Sequence, residues 1–245
     1  MVSLNRIPYS PVAELSAKGR KRVANFILRC LSDREYERLR PYLKPVELVS
    51  GEVLQQPGSN QSNGYFVESG LISVQALSRT HRPIGTNLIG PEGFWGLLPG
   101  SSSMQAVVQI SGKALAISAE HLELFNVSKE LLCWFFRFSR FQNAQAAHVG
   151  ACNAIHQVRE RLARSLLMVA ATIRSYRFAL RHAVIAQMLG AERTTISASA
   201  EELKAARLIN YSRGKIEIIN RVGLERAACR CYRVLRAQLE QYLSV

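Results

Sequence analysis

The sequence predicts an α+β chain in three parts: an N-terminal antiparallel β-barrel or jelly roll, a long dimerisation helix and a C-terminal winged helix-turn-helix. Three observations carry this. Between Val46 and Ser118, short apolar runs alternate with glycines, the spacing of many short strands joined by tight turns. Near Ser128 the period becomes helical and remains so to about Ile173. Between Ala183 and Ile219, two short helical segments meet at Gly190 and give way to a period-two hairpin, which is the pattern of a helix-turn-helix followed by a wing.

The last of these is the most informative. Ile185, Ala186 and Leu189 lie at helical spacing, and Gly190 supplies a conformation that a helix interior avoids. A second helix is predicted from about Arg193 to Ala205, with Ile196 and Leu203 turned inward. The runs Leu208–Tyr211 and Ile216–Ile219 then flank a basic turn, Ser212-Arg213-Gly214-Lys215. A module of this kind reads double-stranded DNA.

Charge agrees with that reading. The 245 residues carry a formal net charge of +14, which favours a polyanionic partner. The excess is concentrated at the ends: residues 1–45 hold 10 Lys/Arg against 4 Asp/Glu, and residues 176–245 hold 12 against 6. The middle, 46–175, is nearly balanced at 10 against 8. No apolar run approaches the roughly 18 residues that a membrane span needs, and the N-terminus lacks the pattern of a secretory signal. Five scattered cysteines, an odd number, fit a reducing cytoplasm better than a disulfide framework.

Four segments follow in order. Residues 1–22, with Pro8, Pro11 and Gly19, form a poorly ordered lead, and 23–127 form the barrel with flanking helices. Its strands are expected at Val46–Val49, Tyr65–Val67, Leu71–Val74, Thr86–Ile89, Ala106–Ile110 and Ala114–Ile117. Residues 128–158 form the dimerisation helix, and 159–245 the DNA-binding domain, which closes with a helix from Arg221 to Tyr242. On the dimerisation helix, Phe141, Ala144, His148, Ala151, Ile155 and Val158 follow steps of three and four. That is a coiled-coil seam, and its partner is a second copy, because no other segment matches it in length.

Within this frame the chain resembles the Crp/Fnr family of bacterial transcription regulators. The resemblance rests on Ser50-Gly51-Glu52-Val53-Leu54 with Pro57-Gly58, Tyr65-Phe66-Val67-Glu68-Ser69-Gly70, Glu160-Arg161-Leu162-Ala163, and the helix-turn-helix ending in Arg213-Gly214-Lys215-Ile216. It implies a homodimer that reads a two-fold symmetric operator and meets RNA polymerase. It also implies what is missing. Where cyclic-nucleotide-binding members carry a Gly-Glu pair and a phosphate-holding Arg, this chain has Phe94-Trp95-Gly96-Leu97-Leu98 and then Met104-Gln105-Ala106, with no Arg before Ala106. A buried phosphate would lack a cationic partner. Ala146-Ala147 stands where those members place hydroxyls for adenine. The barrel is therefore expected not to bind cAMP, and its effector is open. Cys30 stands alone, unlike the closely spaced cysteines of iron–sulfur members.

The expected DNA contacts follow. Arg193, Thr194, Ser197 and Ala198 occupy the outer face of the recognition helix; by the resemblance Arg193 is a base-reading Arg, able to grip guanine through two hydrogen bonds. Thr195, Arg213, Lys215, Arg181 and His182 are candidates for the phosphate backbone. Cys152 and His156, four apart near the seam, are weak candidates for a metal shared between two copies, with a packed thiol and imidazole as the plainer alternative. Cys229-Arg230-Cys231 is too tight for an ordinary disulfide or a four-cysteine site, and Cys231 is expected to be buried. No cofactor motif is present. Asp33 is the only aspartate, and the barrel offers only His81, so neither paired-Asp chemistry nor a cupin-type metal site fits an enzyme reading. The competing class is a small-molecule, metal or redox sensor whose basic ends bind nucleic acid without sequence preference.

Overall fold

The computed structural model describes residues 23–60, 62–77, 83–96, 103–124 and 128–244. The expected lead 1–22, His81, Leu97 and Leu98 lie outside these.

Two short helices, α1 (Phe26–Cys30) and α2 (Asp33–Leu39), open the described chain. Asn25 caps α1 and donates its side-chain amide to Val67 O and Gly93 O, at 2.9 and 2.7 Å. Glu68 accepts from the Ala24 and Asn25 amides. These bonds satisfy buried polar groups while tying α1 to the barrel. Six strands follow: β1 (Lys44–Leu48), β2 (Val53–Gln55), β3 (Asn63–Leu77), β4 (Pro83–Ile89), β5 (Phe94–Trp95) and β6 (Met104–Ser118). The sheet runs β1-β6-β3-β4, with β2 added to β6 and β5 to β3, and every pairing is antiparallel. The runs expected as separate strands at Tyr65–Val67 and Leu71–Val74 are two halves of β3, and Ala106–Ile110 and Ala114–Ile117 two halves of β6. Register shifts around Ser69 bend the pair between the halves, as bulges do. The barrel interior is packed with side chains: Phe66, Phe94, Ile72, Ile89 and Ile117 are all buried, and Phe94 stacks on Phe135 of the following long helix.

After α3 (Ala119–Leu124) comes α4 (Lys129–Ile155), capped by Ser128. The helical period that the sequence carries on to Ile173 is interrupted close to the expected boundary at 158. The chain turns extended at His156 and Gln157, and α5 (Val158–Ile173) starts afresh behind a capping box of Gln157 and Glu160. Two orphan amide groups are satisfied by that box, so a break without Pro or Gly is stabilised locally.

The face of α4 also differs from the expected register. Phe141 is buried inside its own chain, Ala144 and His148 are half-buried, and only Ala151 and Ile155 of the expected seam are exposed. Val158 lies past the break, against the DNA-binding domain's core. The exposed line runs instead through Leu132, Phe136, Asn143, Ala147, Gly150 and Ala154. The reason is packing within the chain: Leu131, Trp134, Phe135, Phe138 and Phe141 face the barrel and the last helix.

The C-terminal part contains β7 (Arg177–Ala179), α6 (His182–Leu189), α7 (Arg193–Ala205), β8 (Ile209–Ser212), β9 (Lys215–Ile218), α8 (Arg221–Ala227) and α9 (Cys231–Leu243). The expected single helix from Arg221 to Tyr242 is thus broken at 228–230. Its core gathers Leu162, Leu166, Ile185, Leu189, Ile196, Leu203, Ile216 and Leu224, and takes in Leu71 from the barrel. Leu239, Tyr242 and Leu243 of α9 reach the other way, into the barrel-side core. None of the described helices is long and apolar enough to cross a membrane.

Candidate nucleic-acid interface

The recognition unit is built on α6 and α7. Gly190 ends α6 in the left-handed region at φ 57°, and its amide bonds back to the helix's last carbonyls; a side chain there would be strained. Three residues later α7 begins at Arg193, with Glu192 in the N-cap position. Ile196, Ser199, Ala200 and Leu203 form its buried face. Arg193, Thr194, Thr195 and Ala198 are exposed, as the sequence suggested.

Ser197 and His182 do something else. Both are half-buried and they bond to each other, His182 Nδ1 to Ser197 Oγ at 2.9 Å, while Ser197 Oγ also donates to Arg193 O. The His182 ring lies flat on Tyr211 of β8, centroids 3.9 Å apart and planes 13° apart. Burial, with Arg193's charge second, lowers the His182 pKa below the ordinary imidazole value. A neutral His182 therefore joins the start of α6 to both the recognition helix and the wing. It is only half-buried, so these contacts tie it into the module while part of the side chain remains at the surface.

The wing is a three-stranded sheet in the order β7-β9-β8. Arg213 and Gly214 both have positive φ, 48° and 80°, which makes a two-residue type I′ hairpin turn. That turn pushes Arg213 and Lys215 into solvent, both exposed, on the module that also exposes Arg181. Strand β7 has no counterpart among the expected elements; it pairs with β9 from Arg177↔Glu217 to Ala179↔Lys215, with Arg177 and Glu217 ion-paired at 2.6 Å.

The chain's own fold brings together one group that the sequence pattern keeps apart. Cys152 and His156 at the end of α4 meet Cys229 and Cys231 at the α8–α9 break, so that one donor atom from each lies within 4.8 Å of the others. No second copy is needed. Cys229 is the buried member of its pair and Cys231 is half-buried, the reverse of the expected emphasis. The hydrogen bond between the Cys152 and Cys229 thiols, Sγ to Sγ 3.4 Å, pulls the Cys229 thiol below its ordinary value, against burial and with help from the Arg164 charge. Cys152 is correspondingly raised.

At the seam between barrel and DNA-binding domain, Ser73, Asn87, Gln145, Arg164, Thr172 and Met188 line a small cavity of about 40 Å³, room for a water or two. Beside it, the Glu92 carboxyl is buried and accepts from the Gly90 amide at 2.9 Å. Burial pushes its pKa up to about 7.

A barrel, a long helix with an exposed face and a winged helix-turn-helix define a class: winged helix-turn-helix transcription regulators. The Crp-like helix-turn-helix domain family matches residues 160–227. That match agrees with the Crp/Fnr resemblance drawn from the sequence. Solved structures share the fold. FixK2 from Bradyrhizobium japonicum is 17% identical, with a TM-score of 0.66, covering 76% of this chain and 98% of that one. TTHA1359, a Crp/Fnr-family transcriptional regulator from Thermus thermophilus, is 22% identical with a TM-score of 0.64 and the same coverage, 76% and 98%. The c-di-GMP-responsive global regulator CLP of Xanthomonas campestris is 16% identical with a TM-score of 0.62, covering 76% and 99%. Among curated proteins none matches.

Proposed function

We propose that this chain is a homodimeric, sequence-specific DNA-binding regulator of transcription, working through its C-terminal module and not as an enzyme. The carrying observation is the outer face of α7. Arg193, Thr194, Thr195 and Ala198 stand exposed on a helix that His182 of α6 holds through its bond to Ser197, with Arg181, Arg213 and Lys215 exposed around it. Arg193 and Thr194 read base edges in the major groove; Thr195, Arg181, Arg213 and Lys215 fix the register on phosphates.

A second copy docks along α4. Phe136 is 66% exposed and Leu132 41%, a cost in water that pairing removes. Ala147, Gly150 and Ala154 on the same line let two backbones approach closely. The dimer reads a two-fold symmetric operator, and RNA polymerase is its partner by the family resemblance. The barrel does not bind cAMP: Ala146 and Ala147 offer no hydroxyl, and strand β6 opens Met104-Gln105-Ala106 without a phosphate-binding Arg.

The test is a titration of operator against scrambled duplex at several salt concentrations. Base reading retains a preference of roughly 10³-fold or more where phosphate contact alone retains none.

A further inference from the structure

We propose that Cys152, His156, Cys229 and Cys231 form a Cys3His site for one Zn2+ ion per chain, and that this ion fastens the end of α4 to the α8–α9 junction. Distances support it first. Cys152 Sγ and Cys229 Sγ are 3.4 Å apart, Cys231 Sγ and His156 Nδ1 are 3.7 Å apart, and all four donors lie within 4.8 Å of one another. Tetrahedral zinc, with Zn–S near 2.3 Å and Zn–N near 2.0–2.1 Å, has donor-to-donor edges of roughly 3.5–3.8 Å. Closing the group onto the ion takes movements of about an ångström or less. Three thiolates and one imidazole, from four protein ligands, make a closed structural site for zinc.

The backbone supports it next. Cys152 and His156 are one turn apart on α4, on one face, and the chain leaves the helix at His156. Cys229 and Cys231 flank Arg230 where α8 stops and α9 starts. That break contains neither Gly nor Pro, follows Ala227 and Ala228, and has no side-chain cap at Arg230. Alanine is the strongest helix former, so local sequence favours continuing the helix. What the interruption provides is two sulfur atoms aimed at one point.

Charge is the third support. Arg161 and Arg164 on α5 are both buried, and neither has a carboxylate partner among the described residues. Arg161 is bonded only to neutral oxygens, Asn153 O, Asn153 Oδ1 and Leu189 O, and Arg164 Nε has no hydrogen-bond partner. Arg164 acts electrostatically on all three cysteines. Buried cations need an anionic counterpart. Zn2+ bound by three thiolates and a neutral imidazole carries a net charge of −1, and the three thiol protons leave to solvent as the metal–sulfur bonds form.

The site joins the end of α4 to the α8–α9 junction of the DNA-binding module, so loading it sets that module relative to the dimer helix; this consequence rests on the DNA-binding reading, while the metal site does not. The experiment titrates the full chain, reduced and metal-free, with Zn2+ and with Co2+. One Zn2+ per chain is expected, together with thiolate-to-cobalt absorption that Zn2+ abolishes. Cys152→Ser and Cys229→Ser should weaken binding more than roughly 100-fold, beyond what an outer hydrogen-bond partner of a metal ligand is worth; Arg230→Ala, which keeps all four donors, should bind as the parent does. Circular dichroism checks each variant's fold, and the parent's cobalt spectrum decides without any variant. No thiolate–cobalt absorption, Zn2+ uptake unchanged in both serine variants, or a Cys152–Cys229 disulfide forming in place of metal uptake when the reduced chain meets Zn2+ in air would each overturn the site. Operator affinity on the same samples should be about fivefold or more tighter with zinc; equal affinity overturns the coupling. Zinc uptake at these residues with no DNA binding in either form leaves the site standing and overturns the DNA-binding reading.

Discussion

Tyr242 lies flat on Phe141, their ring centroids 4.8 Å apart and their planes 9° apart. The phenol also donates to Glu92 O at 3.0 Å. The last helix of the DNA-binding domain is thus held on the long helix and on the barrel at once. Tyr242→Ala should cost about 3–5 kcal/mol through the lost ring. Tyr242→Phe, which keeps the stack and loses one hydrogen bond, should cost about 1 kcal/mol. Urea unfolding of the two variants measures the difference, and equal losses would mean the stack contributes little.

Arg193→Ala should weaken operator binding by about 1–3 kcal/mol and relax the preference at one base position. Binding to scrambled duplex should change little. Arg213→Ala and Lys215→Ala should weaken binding to every sequence and reduce the salt slope by about one each. Anisotropy titrations at several salt concentrations separate the two behaviours. An Arg193→Ala protein that binds its operator as the parent does would remove Arg193 from base reading.

His182 gives the recognition module an acid limit. Its pKa is lowered by burial and by Arg193. Between the ordinary imidazole value and this lower one, the unfolded chain takes a proton that the folded chain refuses. Stability therefore falls as pH drops below the ordinary value, and levels off once pH passes the folded one. His182→Phe keeps a ring on Tyr211 but cannot bond Ser197, and should remove this slope. Thermal melts of parent and variant across the acid range provide the comparison; parallel curves would contradict the assignment.

Glu92 works in the opposite direction along the pH scale. Its carboxyl is raised from 4.5 to about 7 by burial. Between those values the folded chain holds a proton that the unfolded chain has lost, so stability declines as pH rises through that window and is lowest above it. Glu92→Gln keeps an acceptor for the Gly90 amide and should gain about 3 kcal/mol relative to the parent above pH 7. Unfolding midpoints measured at pH 5 and pH 8 test this; a variant no more stable at pH 8 would place the carboxyl in contact with water.

The elements legible in the sequence are those whose pattern is local. The helix-turn-helix is legible because Ile185, Leu189, Ile196 and Leu203 keep one period across Gly190, and the wing because period two resumes around a two-residue turn. Strand β7 is not, since three residues with one inward side chain, Phe178, define no period. The seam of α4 reads one residue, roughly 100° of helix rotation, out of place because that helix has two apolar lines. Phe135, Phe138 and Phe141 serve the chain's own core, while Leu132 and Phe136 face out. Nothing in residue spacing says which line meets which partner. The cysteine group is hidden for a related reason: Cys152 and Cys229 are 77 positions apart, and only the return of α9 to α4 brings them together.

On the proposed reading, an exposed α7 reads DNA as part of a two-fold assembly. The most direct measurement is selection of binding sites from random duplex DNA by the purified protein. An enriched inverted repeat is expected, with half-sites one helical turn apart, about 34–36 Å. Recovery of no common sequence, with binding to all duplexes that salt abolishes, would contradict base reading by Arg193 and Thr194 and leave only the charge of the module.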